Sequence, residues 1–228
     1  MPTSNRIDVY LEIGKKKTFA SALDWPGWSR QGRDESAALQ ALLAQGPRYE
    51  AVLKKTKLGF HAPKDLSALH VVERLEGDAT TDFGVPSKPA SADARPVDDA
   101  ELKRFLKVLE ACWQALDAAA QAAVGKELRK GPRGGGRELE KILRHVLGAD
   151  DGYLTSIGWK YKVDEAANLA EEMQRARQAI REALPAAAHG ELPAVSPRGK
   201  QYWPPRYYVR RNAWHVLDHV WEIEDRAE

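Results

Sequence analysis

The chain has a single cysteine, Cys112, among 228 residues. An internal disulfide framework is therefore excluded, and a lone thiol suits a reducing compartment. No apolar run approaches the ~20 residues that a membrane span needs. The first residues, Met1-Pro2-Thr3-Ser4-Asn5, lack the basic and apolar regions of a secretory signal. A soluble, cytoplasmic protein is the expectation. Charge of one sign is missing too: 35 Lys and Arg stand against 33 Asp and Glu, a formal net charge of +2. Near-neutrality gives no general basis for binding nucleic acid or an anionic membrane. The metalloprotease pattern H-E-x-x-H does not occur, and the glycines near residue 134 are not followed by the Gly-Lys-Ser/Thr of a P-loop. What is present is an ordinary globular composition, 43% hydrophobic and 30% charged, long enough for one large domain or two small ones.

The N-terminal third alternates. Ile7, Val9, Leu11 and Ile13 fall on one face of residues 6–13, the period-2 pattern of a half-buried strand. Residues 14–17 make a turn, residues 18–23 a second strand, and Pro26-Gly27 a break before a short third strand at 28–31. Asp34 is placed to cap a helix carrying Leu39, Leu42 and Leu43. Tyr49, Val52 and Leu53 either continue that helix or form another after Gly46-Pro47. Residues 69–75 read as a last strand. The order β-β-(β)-α-β predicts a small sheet covered on one face by helix, over residues 1–77. His61 and His70 are isolated here and are expected at the surface or a sheet edge rather than as ligands.

The run Phe19-Ala20-Ser21-Ala22-Leu23-Asp24-Trp25-Pro26-Gly27-Trp28, followed by Gly32-Arg33-Asp34-Glu35-Ser36-Ala37-Ala38, resembles the HicB-type antitoxin domain. The resemblance covers roughly residues 6–75. It implies contact with a protein partner, or self-association, through this domain. The DNA-binding helical module that such proteins often carry after it does not follow, so nucleic acid is not an expected partner.

Residues 78–97 hold Gly84, Pro86, Pro89, Ser91 and Pro96 with little periodicity and read as a linker. Beyond it the apolar spacing turns helical. Segments at about 98–128, 137–157, 164–187 and 206–226 predict a four-helix bundle over residues 98–228, and an α+β chain as a whole. Cys112 lies in the apolar stripe of the first segment with Leu109, Trp113 and Leu116, which predicts a buried structural thiol.

The last segment contains Trp214-His215-Val216-Leu217-Asp218-His219. Residues four apart share one helix face, so both imidazoles can reach a common point, as a divalent metal requires. His145 lies in the second segment, on the shoulder of its apolar stripe, and is the candidate third ligand. Glu222, three residues after His219, is a candidate partner of that ring, a candidate base, or a plain solvent-facing carboxylate. Asp150 falls near the apolar face of the second segment, where a carboxylate must be paired. Residues 126–137 hold five cations and four glycines ahead of a helix, and either receive an anion or form a solvated hairpin. Arg133, Arg137 and Arg211 are the candidate anion contacts. Residues 198–211 interleave cations with Tyr202, Trp203, Tyr207 and Tyr208 and are expected to pack over the bundle end, where they could wall a pocket. His189 is expected to be exposed.

One His in the second helix and H-x-x-x-H in the fourth resemble the DinB/YfiT-like family of four-helix-bundle metalloenzymes. Arg133-Gly134-Gly135-Gly136-Arg137, Gly148-Ala149-Asp150 and Arg210-Arg211 extend the likeness, which covers about residues 98–226. It implies Zn or Ni held by His145, His215 and His219, with positions open to water or substrate. It further implies a thiol-dependent transferase, isomerase or hydrolase using a low-molecular-weight thiol on a small-molecule substrate. The competing expectation is a regulatory, protein-interaction chain whose bundle is not catalytic.

Overall fold

The computed structural model describes residues 6–130 and 138–227. Its elements, in order, are β1 (Ile7–Ile13), β2 (Thr18–Ala22), β3 (Ser29–Gly32), α1 (Glu35–Leu53), β4 (Leu69–Glu76), α2 (Ala79–Phe83), α3 (Asp99–Ala122), α4 (Leu139–Ser156), α5 (Leu169–Ala188) and α6 (Pro205–Arg226), with three short 3₁₀ turns between them. The class is α+β. Two compact units divide the chain: residues 1–95 with 209–214, and residues 96–208 with 215–228. No helix among the described residues is long and apolar enough to cross a membrane.

In the first unit the sheet order is β3-β2-β1-β4. β1 runs antiparallel to β2 and parallel to β4, with Leu11 opposite Ala20 on one side and Arg74 on the other. Asp34 caps α1 by accepting from the Ala37 N–H at 2.8 Å. One continuous helix then runs through Pro47 to Leu53, so Tyr49 and Leu53 belong to it. Tyr49, Trp28 and Phe60 form an aromatic core, and the Tyr49 hydroxyl donates to the Pro26 carbonyl at 2.8 Å.

The alternation in β1 suggested one buried face, yet Tyr10 and Glu12 on its other face are buried as well. Their partners come from distant sequence. The Arg210 guanidinium lies 5.0 Å from the Tyr10 ring centroid and pairs with buried Asp93. Phe19 meets Trp214 edge to face at 6.1 Å. The Glu12 carboxylate accepts from the Thr81 hydroxyl, the Ser87 N–H at 2.9 Å and the Lys88 N–H at 3.0 Å. Glu73 accepts from the Ser91 N–H at 2.9 Å. Residues 78–94, which read as a linker, are therefore folded into the first unit. Two carboxylates satisfy backbone donors there that water would otherwise take.

In the second unit the four long helices bury Leu109, Leu116, Ile142, Leu154, Ile180, Val216 and Ile223. Cys112 is fully buried in this core, and burial pushes its thiol well above the ordinary range, so it stays protonated and inert. α3 stops at Ala122 because the chain turns through Gly125, at φ +76°. α5 starts at Leu169 rather than 164. The Asn168 side chain accepts from the Ala170 N–H at 3.0 Å, while the buried Glu172 carboxylate draws back the Asp164 N–H at 3.0 Å.

A candidate three-histidine metal centre

α4 presents His145, and α6 presents His215 and His219 one turn apart. Each of these helices buries an apolar stripe, so the imidazoles on their shoulders are held by core packing rather than by loops. The three rings converge through the same atom. His215 Nε2 lies 3.3 Å from His145 Nε2 and 3.2 Å from His219 Nε2. The ring planes are steeply inclined, at 58° for His145 and His215, 86° for His145 and His219, and 84° for His215 and His219. His215 and His219 are buried, whereas His145 is exposed. The cluster has a buried inner half and one imidazole facing solvent.

Hydrogen bonding alone explains this arrangement poorly. An imidazole nitrogen carries one in-plane N–H or one lone pair, so His215 Nε2 cannot make linear hydrogen bonds to both neighbours. A single cation at the meeting point would satisfy all three lone pairs. Its geometry agrees: an ion ~2.0–2.1 Å from each nitrogen at tetrahedral angles spaces them roughly 3.3–3.4 Å apart. These three histidines lie close enough to hold a metal ion.

Glu222, one turn beyond His219, settles which His219 nitrogen points inward. Its Oε2 lies 2.7 Å from His219 Nδ1, and its Oε1 is 2.5 Å from an Arg226 amino nitrogen. The bond with His219, and then the Arg226 charge, hold the Glu222 carboxyl below its usual range. An ionised carboxylate only accepts, so Nδ1 carries a proton, and in the neutral ring Nε2 then keeps its lone pair. Arg226 in turn donates through Nε to the Arg129 carbonyl at 2.7 Å. Its link to Glu222 was legible as an i, i+4 acid–base spacing and was not singled out. Tyr153, on α4 as well, adjoins the cluster. Its ring stands edge-on to His215 at 5.7 Å and leans on Trp203 at 5.5 Å.

The other expected site residues are scattered. Arg133 and Arg137 lie outside the described residues. Arg211 belongs to the first unit, with its guanidinium 4.6 Å from the Trp214 ring. Asp150 is buried, and burial together with its charge holds the Tyr208 phenol well above its ordinary range. His61 and His189 are exposed beside Glu50 and Asp99. His70 sits half-buried on β4.

No protein-family model matches this chain, and no curated protein or solved structure matches it. The geometry of the site must carry its reading.

Proposed function

We propose that the second unit is a metalloenzyme domain of the DinB-like kind, binding one Zn or Ni ion through His145, His215 and His219. The observation supporting this is the convergence of three imidazoles, with His215 Nε2 3.3 and 3.2 Å from the Nε2 atoms of His145 and His219 and a carboxylate on the Nδ1 of His219. Three histidine ligands with a remaining open position are the pattern of catalytic sites, since structural zinc sites close all four positions with protein ligands. When bound, such an ion supplies Lewis acidity that lowers the pKa of a water or thiol ligand toward neutrality.

The chain's own residues set the conditions for that chemistry. His215 and His219, held one turn apart on a buried helix, keep two donors in place without reorganisation. Glu222 holds the proton at His219 Nδ1, and Arg226 holds Glu222. Exposed His145 leaves the cup open to solvent on one side, where a small molecule enters. The reaction class, transfer or hydrolysis with a low-molecular-weight thiol, comes from the resemblance to the DinB/YfiT-like family.

Elemental analysis of protein purified without a histidine tag tests the reading. About one equivalent of Zn or Ni, lost in His215→Ala, is expected. A metal-free native protein that also refuses added metal would rule it out.

A further inference from the structure

A second concave site lies in the same unit, built by the end of α4, the segment that leaves it and the turn before α6. It is a depression of about 550 Å³ whose walls include Trp159, Tyr161, Tyr202, Lys160 and Lys162, with two prolines. That volume is within the range of small-molecule sites. None of the described residues lining it is acidic. The three rings are half-buried, and both lysines are exposed.

Two of the aromatic walls, Tyr161 and Tyr202, are fixed in advance of any ligand. The Tyr161 hydroxyl donates to Glu172 at 2.9 Å, and the Arg175 guanidinium lies 4.6 Å from the Tyr161 ring centroid. Arg175 is itself tied to Glu172, donating through Nε at 2.7 Å. Tyr202 seats against Gly158, which has φ +84°. That positive φ favours glycine, and a Cβ there would sit a tight 3.1 Å from the Tyr202 ring. The Tyr202 N–H bonds the Ala194 carbonyl at 3.0 Å, and a Val195–Gln201 bridge closes the turn. Rings held this way stack on a ligand without losing rotamer entropy on binding.

We propose that this depression binds a mononucleotide, its base against the rings of Trp159, Tyr161 and Tyr202 and its phosphate between Lys160 and Lys162. Aromatic faces stack on any base. A phosphate monoester carries about −1.5 to −2 charges at neutral pH, which two ammonium groups match. The same chemistry is available from a free nucleotide and from the phosphorylated end of a single strand. The volume of the depression, about 550 Å³, suits the former.

Calorimetric titration of the full chain with AMP, adenosine, inorganic phosphate and a short 5′-phosphorylated oligothymidylate tests the site. AMP is expected to bind in the submillimolar range, with adenosine and phosphate each weaker by about tenfold or more. Lys160→Gln/Lys162→Gln and, separately, Trp159→Ala are each expected to weaken AMP by about tenfold while leaving the far-UV spectrum unchanged. The lysine pair is exposed, so its loss is read without a folding defect. Absence of binding by AMP overturns the proposal, as does AMP affinity unchanged in either variant. Tighter binding of the oligonucleotide than of AMP also overturns it, in favour of a strand.

Discussion

Glu222 reaches the imidazole cluster through His219, with its Oε2 2.7 Å from the ring's Nδ1. The contact decides the tautomer of His219 and with it the direction of its Nε2 lone pair. Carboxylate partners of this kind raise the basicity of a ligating imidazole and hold its ring in orientation.

Replacement of Glu222 by Ala removes that orientation while leaving all three imidazoles in the chain. Metal affinity, measured by competition with a chromophoric chelator, is expected to fall by about 10–100-fold. Glu222→Gln keeps an acceptor oxygen and is expected to fall between wild type and Ala.

Metal also bears on stability, because an ion that binds only the folded chain stabilises it by mass action. At a hundredfold excess over Kd, added Zn is expected to raise the unfolding free energy by ~2.7 kcal/mol. His145→Ala, which leaves two of the three imidazoles, is expected to shrink that gain markedly without abolishing it. Its metal-free stability should stay within about 0.5 kcal/mol of wild type, because the side chain is exposed. Urea melts with and without chelator measure both quantities.

Asp93 and Arg210 are a buried pair, 2% and 5% exposed. Asp93→Ala leaves a guanidinium in the core and is expected to cost about 3–5 kcal/mol in a urea melt. Replacing both residues by apolar side chains of similar size should recover most of that loss.

Glu172 is a buried carboxylate held down to about 2 by its bonds to Arg175, Asp164 and Tyr161, against the desolvation that raises it. Its folded pKa lies below its unfolded value, so the unfolded chain binds the extra proton as pH falls. The stability it contributes is complete above roughly pH 4–5, near the unfolded carboxyl pKa, and is lost as pH falls toward 2. Wild type minus Glu172→Gln, followed by urea melts from pH 6 down, is expected to show a difference that shrinks across that window. A difference constant with pH would contradict the assignment.

The strands and the four long helices were legible because each carries its period in a short window: Ile7, Val9, Leu11 and Ile13 for β1, and Leu109, Cys112, Trp113 and Leu116 for α3. The histidine cluster was legible for the same reason. His215 and His219 share a face by spacing, and His145 sits on the corresponding shoulder of another core helix. What the sequence hid depends on long-range pairing. Residues 78–94 looked like a linker because their anchors, Glu12 and Glu73, lie in strands far upstream, with Ser87 75 positions from Glu12. The burial of Tyr10 likewise depends on Arg210, two hundred residues away. The depression beside Tyr202 joins the end of α4 to two segments that carry no periodic signal, and it depends on a glycine at positive φ.

X-ray absorption at the edge of the bound metal in the untagged protein tests the central claim most directly. Three imidazole nitrogens at ~2.0–2.1 Å, with the ring multiple-scattering signature reduced in His145→Ala, are the expected result. A shell of oxygens without imidazole scattering, or a spectrum indifferent to loss of His145, would contradict the three-histidine centre.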